Sequence, residues 1–143
     1  MKSIAVLLVG LLMIAACMSG GSITHFMNVP SFLVTFLGGH LMLASVYGVD
    51  AIAVMKPGYG ETNPDRGRRI AAAGSKFYIL AGWVGVLMGV IQIGNADIQD
   101  LTALGAATAI LILCPFYAYL MVLMFWAPLG LKMDEKLAET QAG

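Results

Sequence analysis

The sequence predicts an all-α membrane protein built as a bundle of four transmembrane helices. Hydrophobic residues make up 59% of the 143 residues and charged residues only 11%, whereas a water-soluble domain usually carries about 25% charged residues. The apolar residues are grouped into four runs separated by polar segments. All Lys and Arg fall on one side of the resulting four-span arrangement: Lys2, Lys56, Arg66, Arg68, Arg69, Lys76, Lys132 and Lys136.

This distribution of positive charge also predicts orientation, because cytoplasmic loops of membrane proteins carry an excess of Lys and Arg. The loops assigned to the opposite side, 19–31 and 95–101, contain neither residue. We therefore expect the N-terminus, the loop 51–75 and the tail 130–143 to lie in the cytoplasm. The net charge of zero gives no indication of nucleic-acid binding. The cluster at 66–69 is interpreted as an anchor on anionic lipid rather than an RNA-binding patch.

The first predicted span covers 4–18, and the whole chain is treated as a single membrane domain, 1–143. A short apolar run after Lys2 is also typical of a signal peptide. In that interpretation Cys17 would become the lipidated N-terminus of a lipoprotein. We interpret the segment as a retained, short span. The stretch 23–29 is amphipathic and is expected at the outer interface.

The second span is predicted over 32–50 and begins after Pro30, since a proline in the first helical turn loses no hydrogen bond. Gly38 and Gly39 lie near its centre, and paired glycines allow another backbone to approach closely. The next residue, His40, lies about 13 Å from the outer boundary. Ionisable groups at this depth are functional candidates. The structural alternative is a neutral imidazole hydrogen-bonded to a neighbouring helix.

The third span is predicted over 76–94, after the polar loop 51–75, with its helix beginning near Arg68. Glycines at 82, 85 and 89 predict a face that packs against another helix. The fourth span is predicted over 103–129 and contains Pro115. A proline in a membrane helix removes a backbone hydrogen bond, so neighbouring groups must satisfy the freed carbonyl. The tail 130–143 is polar and helical in pattern.

Three further polar residues in the spans are candidates for an ion route. Each has a structural alternative: Thr108 can bond to its own backbone, Gln92 can bond across a helix interface, and Tyr117 can pack between subunits. No Asp, Glu, Lys or Arg lies in the interior of a predicted span. Two His and two Cys without CxxC spacing predict no metal site. No catalytic pair, phosphate loop or cofactor motif is recognisable, so neither an enzyme nor a cofactor is expected.

Four short motifs together resemble the MotA/TolQ/ExbB family, and in particular the MotA-type stator subunits of flagellar motors. In the family's order they are GGS at 20–22 with VPSFLV at 29–34, GG at 38–39, GWVGVLMGVIQ at 82–92, and LGAATA at 104–109 followed by Tyr117. The resemblance covers nearly the whole chain. His40 stands where the family has the threonine of its GG-T motif.

The resemblance implies a homo-oligomeric ring, typically a pentamer, in the bacterial inner membrane, with both termini cytoplasmic. Such a ring surrounds a single-span partner resembling MotB, TolR or ExbD, whose carboxylate carries a proton. Lipids are the remaining expected partners, and nucleic acid is not one. Glycines of the predicted spans are assigned to helix packing and oligomer contacts: Gly38, Gly39, Gly82, Gly85, Gly89 and Gly105.

Three departures from the family pattern matter. The large cytoplasmic domain is replaced by the short loop 51–75, Val86 stands at the third-helix threonine, and Cys114-Pro115 replaces the fourth-helix Thr-Thr pair. Val, Cys and Pro substitute poorly for the hydration shell of an ion. The expected function is a ring subunit of an ion-driven stator or energising complex. The alternatives are a non-conducting scaffold ring of the same architecture and a small membrane anchor acting through its cytoplasmic loop.

Overall fold

The structure is a computed structural model that describes residues 12, 15, 26–56, 58–59, 63–97 and 99–142. The described residues form helices and no strand, in agreement with the predicted fold class. Three helices are long and apolar enough to cross a membrane: Val29–Tyr47, Pro64–Asn95 and Leu101–Gln141. The predicted first span, 4–18, lies outside the described residues except for Leu12 and Ala15. The count of four spans therefore remains a prediction, and so does the ring.

Helix α1, Val29–Tyr47, begins and ends earlier than the predicted span 32–50. Its start is set by Asn28, whose side-chain oxygen accepts hydrogen bonds from the Ser31 backbone N–H at 2.9 Å and from the Ser31 hydroxyl at 2.8 Å. Its end is set by Gly48, which adopts a left-handed φ of 59° that favours glycine. A short helix α2, Asp50–Ala53, follows directly.

Helix α3, Pro64–Asn95, begins well before the predicted span at 76 and before Arg68. The helix therefore begins four residues earlier than predicted, and residues 64–67 are helical where a polar loop was expected. Pro64 is preorganised for the first helical turn, and the Arg- and Ala-rich stretch after it has high helix propensity. With 32 residues, α3 is about 48 Å long, longer than the ~30 Å hydrocarbon core of a bilayer.

Helix α4, Leu101–Met121, is capped by Asp100, which accepts from the backbone N–H groups of Thr102 and Ala103 at 3.0 Å each. A π-helical stretch, Val122–Trp126, follows, and helix α5, Ala127–Ala142, continues from it. The span predicted over 103–129 and the tail predicted from 130 are thus parts of one nearly continuous helix.

Helix α3 lies at the centre and packs against α1, α4 and α5. It forms an antiparallel hairpin with α4 and, at its N-terminal end, with α5. The largest buried cluster lies toward the end of the bundle that carries the Lys and Arg residues. It comprises Leu43, Ala51, Val54, Ile70, Ala71, Tyr78 and Trp126.

Candidate functional site

A group of rings surrounds His40 between α1, α3 and the π-helical stretch, and it is here named the histidine cluster: Phe36, His40, Tyr78 and Trp126. The His40 Nδ1 atom is hydrogen-bonded to the Tyr78 hydroxyl and lies 3.2 Å from the Phe36 carbonyl oxygen. The His40 ring centroid lies 4.5 Å from that of Phe36 and 5.5 Å from that of Tyr78. His40 is therefore enclosed by its own chain.

Two glycines create the space for this cluster. A Cβ atom at Gly39 would lie 2.8 Å from the Tyr78 ring, and one at Gly74 would lie 2.5 Å from the Trp126 ring. Real Cβ atoms essentially never approach other heavy atoms so closely. Both rings can therefore lie flat across a helix backbone only because these positions lack a side chain. Gly38 makes an ordinary contact, with its Cβ position 3.4 Å from Ala81.

The Tyr78 hydroxyl ties His40 to a neighbouring helix. Nδ1 donates to the Phe36 carbonyl in one tautomer and accepts from the Tyr78 hydroxyl in the other, and either role satisfies that nitrogen. Sequence reasoning did not select Tyr78 or Trp126. The available signal was the Tyr at the start of the third apolar run, since a tyrosine within a span needs a polar partner.

Trp126 is fully buried in the cluster, and its Nε1 atom has no hydrogen-bond partner among the described residues. The residue ends the π-helical stretch, where the Ala127 N–H bonds to the Val122 carbonyl instead of to the carbonyl of Leu123, one residue closer, as in an α-helix. The wider turn displaces the Trp126 side chain from a regular α-helical position. This local geometry is what brings the indole against Gly74.

Tyr117 lies away from His40, at a second polar contact that joins α4 to the start of α1. Its hydroxyl donates to the Phe26 carbonyl and accepts from the Asn28 N–H at 3.0 Å. Beside it, the buried Thr35 hydroxyl donates to the Cys114 carbonyl at 3.1 Å. This carbonyl directly precedes Pro115. We name Asn28, Ser31, Thr35, Cys114 and Tyr117 the outer junction, after the predicted orientation, because they lie at the end of the bundle remote from Arg66, Arg68 and Arg69.

Thr108 and Gln92 are exposed, Thr108 in the N-terminal half of α4 and Gln92 near the C-terminus of α3. The Thr108 hydroxyl donates to the Leu104 carbonyl of its own helix at 2.8 Å. The four ion-route candidates thus occupy separate places: His40 in the histidine cluster, Tyr117 in the outer junction, and Thr108 and Gln92 on the surface.

The candidate glycines divide into two groups. Those on α3 contact α4 of the same chain, because Cβ atoms at Gly82 and Gly89 would lie 2.8 Å from Ala118 and 2.7 Å from Leu111, and one at Gly85 would overlap Cys114. Gly105 behaves differently, since nothing lies within 4 Å of its Cβ position.

Ion pairs hold the Lys- and Arg-rich end together. Arg66 pairs with Asp50 at 2.5 Å, Arg68 with Asp134 at 2.7 Å, and Arg69 with Asp65 at 2.7 Å. Partial burial, and then the nearby Asp50 carboxylate, raises the pKa of the Tyr59 hydroxyl, while Arg66 opposes this shift. The first two pairs join α3 to α2 and α5, and the third lies within α3. Exposed pairs of this kind contribute only about 0–1 kcal/mol each.

The part of the chain that the structure describes contains no group of three or more His, Cys, Asp or Glu side chains that could hold a metal ion.

Fold and site together define a class: an all-helical protein with three helices suited to crossing a membrane and two polar contacts between those helices. No protein-family model, no curated protein and no solved structure matches the chain.

The outer junction gives a stability prediction. Thr35→Val keeps the shape of the side chain but removes the hydrogen bond to the Cys114 carbonyl, so we expect the free energy of unfolding to fall by about 1 kcal/mol. Thr108→Val is the matched control, since its hydroxyl bonds only within its own exposed turn and its loss should cost less than about 0.5 kcal/mol. Equilibrium unfolding in detergent, followed by circular dichroism, measures both values. Equal costs would contradict a structural role for Thr35.

Proposed function

We propose that this chain is a ring-forming inner-membrane subunit of the MotA/TolQ/ExbB type, and that the ring encloses a single-span partner in an ion-driven stator or energising complex. The motif order and the one-sided Lys and Arg distribution support the proposal. The observation that carries the ring is the exposed face of α4 around Gly105.

This face is exposed along the outer half of α4 and follows helical spacing: Leu101, Gly105, Thr108 and Ile112. In membranes, helices associate through small residues that let their backbones approach closely. The glycines of α3 already serve this purpose against α4 of the same chain. Gly105 and its neighbours are left for a second copy of the chain.

The inner ends of α3 and α5 support the proposal in a different way. They run antiparallel, with Gly67 against Met133 and the Arg68–Asp134 pair on the surface. Helix α3 and the continuous helix Leu101–Gln141, to which α5 belongs, both extend well past the length that a bilayer core requires. In the proposed ring, these ends form a short cytoplasmic collar in place of the large domain that the family carries.

A non-conducting scaffold ring is the second candidate, and a specific observation favours it. The imidazole Nδ1 of His40 and the hydroxyls of Tyr117 and Thr108 are all bonded within their own chain. Groups engaged in this way are poorly placed to replace the hydration shell of a passing ion. The scaffold interpretation is also favoured by the residues at the family's threonine positions, Val86, Cys114 and Pro115.

Native mass spectrometry of the complex, extracted gently from its own host membrane, tests the proposal. A ring of several copies with a second, single-span chain supports a stator-type unit, whereas a monomer without partners overturns it. Proton flux into liposomes containing the ring and the partner then separates the two candidates. Clear flux removes the scaffold interpretation, and its absence from an intact complex removes the ion-driven one.

The Gly105 face gives a prediction of its own. Gly105→Leu should weaken association of the ring by about tenfold or more, because overpacking a close helix contact costs typically 1–3 kcal/mol. Gly94→Leu is the control, because Gly94 also has nothing within 4 Å of its Cβ position but lies at the end of α3. Size-exclusion chromatography with light scattering measures the copy number, and helix content by circular dichroism should remain unchanged in both variants. A ring that survives Gly105→Leu would exclude this face as the subunit contact.

A further inference from the structure

One exposed face of α3 changes from basic to apolar along its length. Residues spaced three or four apart share a helix face, and six exposed residues follow this spacing. We name them the α3 stripe: Arg69, Ala72, Lys76, Leu80, Trp83 and Leu87. Its apolar members are well exposed, with Leu80 at 49%, Trp83 at 55% and Leu87 at 62%.

The position of Lys76 along the bundle is unusual for a lysine. Arg69 is level with the inner end of α1, because the Tyr47 hydroxyl bonds to its carbonyl oxygen at 3.5 Å. Lys76 lies seven residues further along α3, about 10 Å deeper. Only two residues beyond it, Tyr78 contacts His40 near the middle of α1. The backbone of Lys76 therefore lies beside the apolar part of α1 and not at its end.

The long side chain of Lys76 can return its ammonium group toward the polar surface. Side chains on a helix lean toward its N-terminus, which for α3 is the Lys- and Arg-rich end. Lysines near a membrane boundary use this direction to place their charge at the interface. Lys76 and Arg69 thus lie on one face of α3, two turns apart, with the small Ala72 between them.

The charges around this region leave both cations able to bind an anion. Asp65 pairs with Arg69 at 2.7 Å, but the pair is exposed and uses only one of the guanidinium nitrogens. No ion pair joins Lys76 to an acidic side chain within the described part of the chain. Two other acids near this end, Asp50 and Asp134, are paired with Arg66 and Arg68.

We propose that the α3 stripe binds an anionic phospholipid of the leaflet that faces the Lys- and Arg-rich end. The phosphate lies between Arg69 and Lys76, which supply charge-assisted hydrogen bonds. The acyl chain lies along Leu80, Trp83 and Leu87. Complementary charge at the interface and matching apolar surface above it select a lipid as the occupant. The site does not depend on ring formation or ion conduction.

The two tryptophans allow a direct test. Trp83 is 55% exposed on the stripe, whereas Trp126 is fully buried. Brominated acyl chains quench indole fluorescence on contact, so quenching reports lipid at Trp83. The full-length protein is reconstituted in phosphatidylcholine vesicles that contain a minor fraction of brominated phosphatidylglycerol or of brominated phosphatidylcholine. We expect stronger quenching by the phosphatidylglycerol, and Trp83→Phe should abolish the difference.

Variants of the two cations locate the headgroup. Lys76→Gln and Arg69→Gln should each lower the preference for phosphatidylglycerol by about fivefold, the value expected for one basic residue near an anionic surface. Lys76→Arg keeps the positive charge and should retain the preference for phosphatidylglycerol. It is the control that separates loss of charge from a folding defect caused by substitution at this position. Lys132→Gln, which removes an exposed cation of α5 near the same end, should leave it unchanged.

Two results would overturn the proposal. The first is equal quenching of the unmodified protein by the two brominated lipids. The second is a preference that survives both Lys76→Gln and Arg69→Gln. If the preference is absent and Lys76→Gln instead abolishes co-purification of a single-span chain, Lys76 pairs with a carboxylate of that chain and not with lipid.

Discussion

Trp126→Ala is expected to lower the free energy of unfolding by about 3–5 kcal/mol, the cost typical of truncating a large buried aromatic side chain. Trp126 is fully buried, and its ring centroid lies 4.8 Å from that of Phe125 and 5.8 Å from that of Tyr78. The backbone at Gly74 lies against the indole and cannot move into the space that the substitution leaves. The cavity would lie where α1, α3 and the π-helical stretch meet.

Two further variants separate the contribution of ring packing from that of the indole N–H and from the loss of any tryptophan. Trp126→Phe retains much of the ring and removes an N–H that has no partner among the described residues, so its cost should be less than half that of Trp126→Ala. Trp83→Ala removes a ring that is 55% exposed and should cost less than about 1 kcal/mol. Equilibrium unfolding in mixed micelles, followed by far-ultraviolet circular dichroism, compares all three. Similar costs for Trp126→Ala and Trp83→Ala would contradict the packing described above.

Gly89→Ala is expected to destabilise the α3–α4 hairpin by about 2–3 kcal/mol, toward the upper end of the usual cost of overpacking. The new Cβ would lie 2.8 Å from the Leu111 Cα and backbone nitrogen. A flexible side chain could rotate away from such a contact, but backbone atoms cannot. The two helices would have to separate along this part of the hairpin.

The control for Gly89→Ala lies on the same helix. Gly94 has nothing within 4 Å of its Cβ position, so Gly94→Ala should be neutral or slightly stabilising, since alanine has the higher helix propensity. The same unfolding measurement applies to both variants. If Gly89→Ala were as stable as the unmodified protein, α3 and α4 would not be in close contact at this level.

The helical, membrane-spanning character of the chain could be predicted from local features. Long apolar runs and few charges indicate helices in lipid whatever their partners are. Helix ends were harder to predict. The start of α1 depends on the cap at Asn28, and the early start of α3 at Pro64 depends on the helix propensity of a basic segment that polarity alone suggested was a loop.

The candidate site could be predicted only in part. His40 was selected from its depth in a span, and the structure places it among hydrogen-bonding and aromatic groups. Its partner Tyr78 is 38 residues away along the chain, and no local pattern pairs the two. The other three candidates are all polar but lie in different places: Thr108, Gln92 and Tyr117. The rotation of each helix about its axis decides what its residues face, and a sequence does not show that rotation.

The sequence by itself determined the all-helical class, the apolar segments and the clustering of cations at one end, since each follows from composition within a single segment. The tertiary structure alone decided which glycines pack against another helix of the chain and which have no neighbour. Gly82, Gly85 and Gly89 pack inside the chain while Gly105 stays open. It also decided that Lys76 lies beside the apolar part of α1 and not at its end. The physical reason is that the axial register between helices depends on how Tyr78, Trp126 and Cys114 fit against the glycines opposite them, and that fit exists only once the helices are packed.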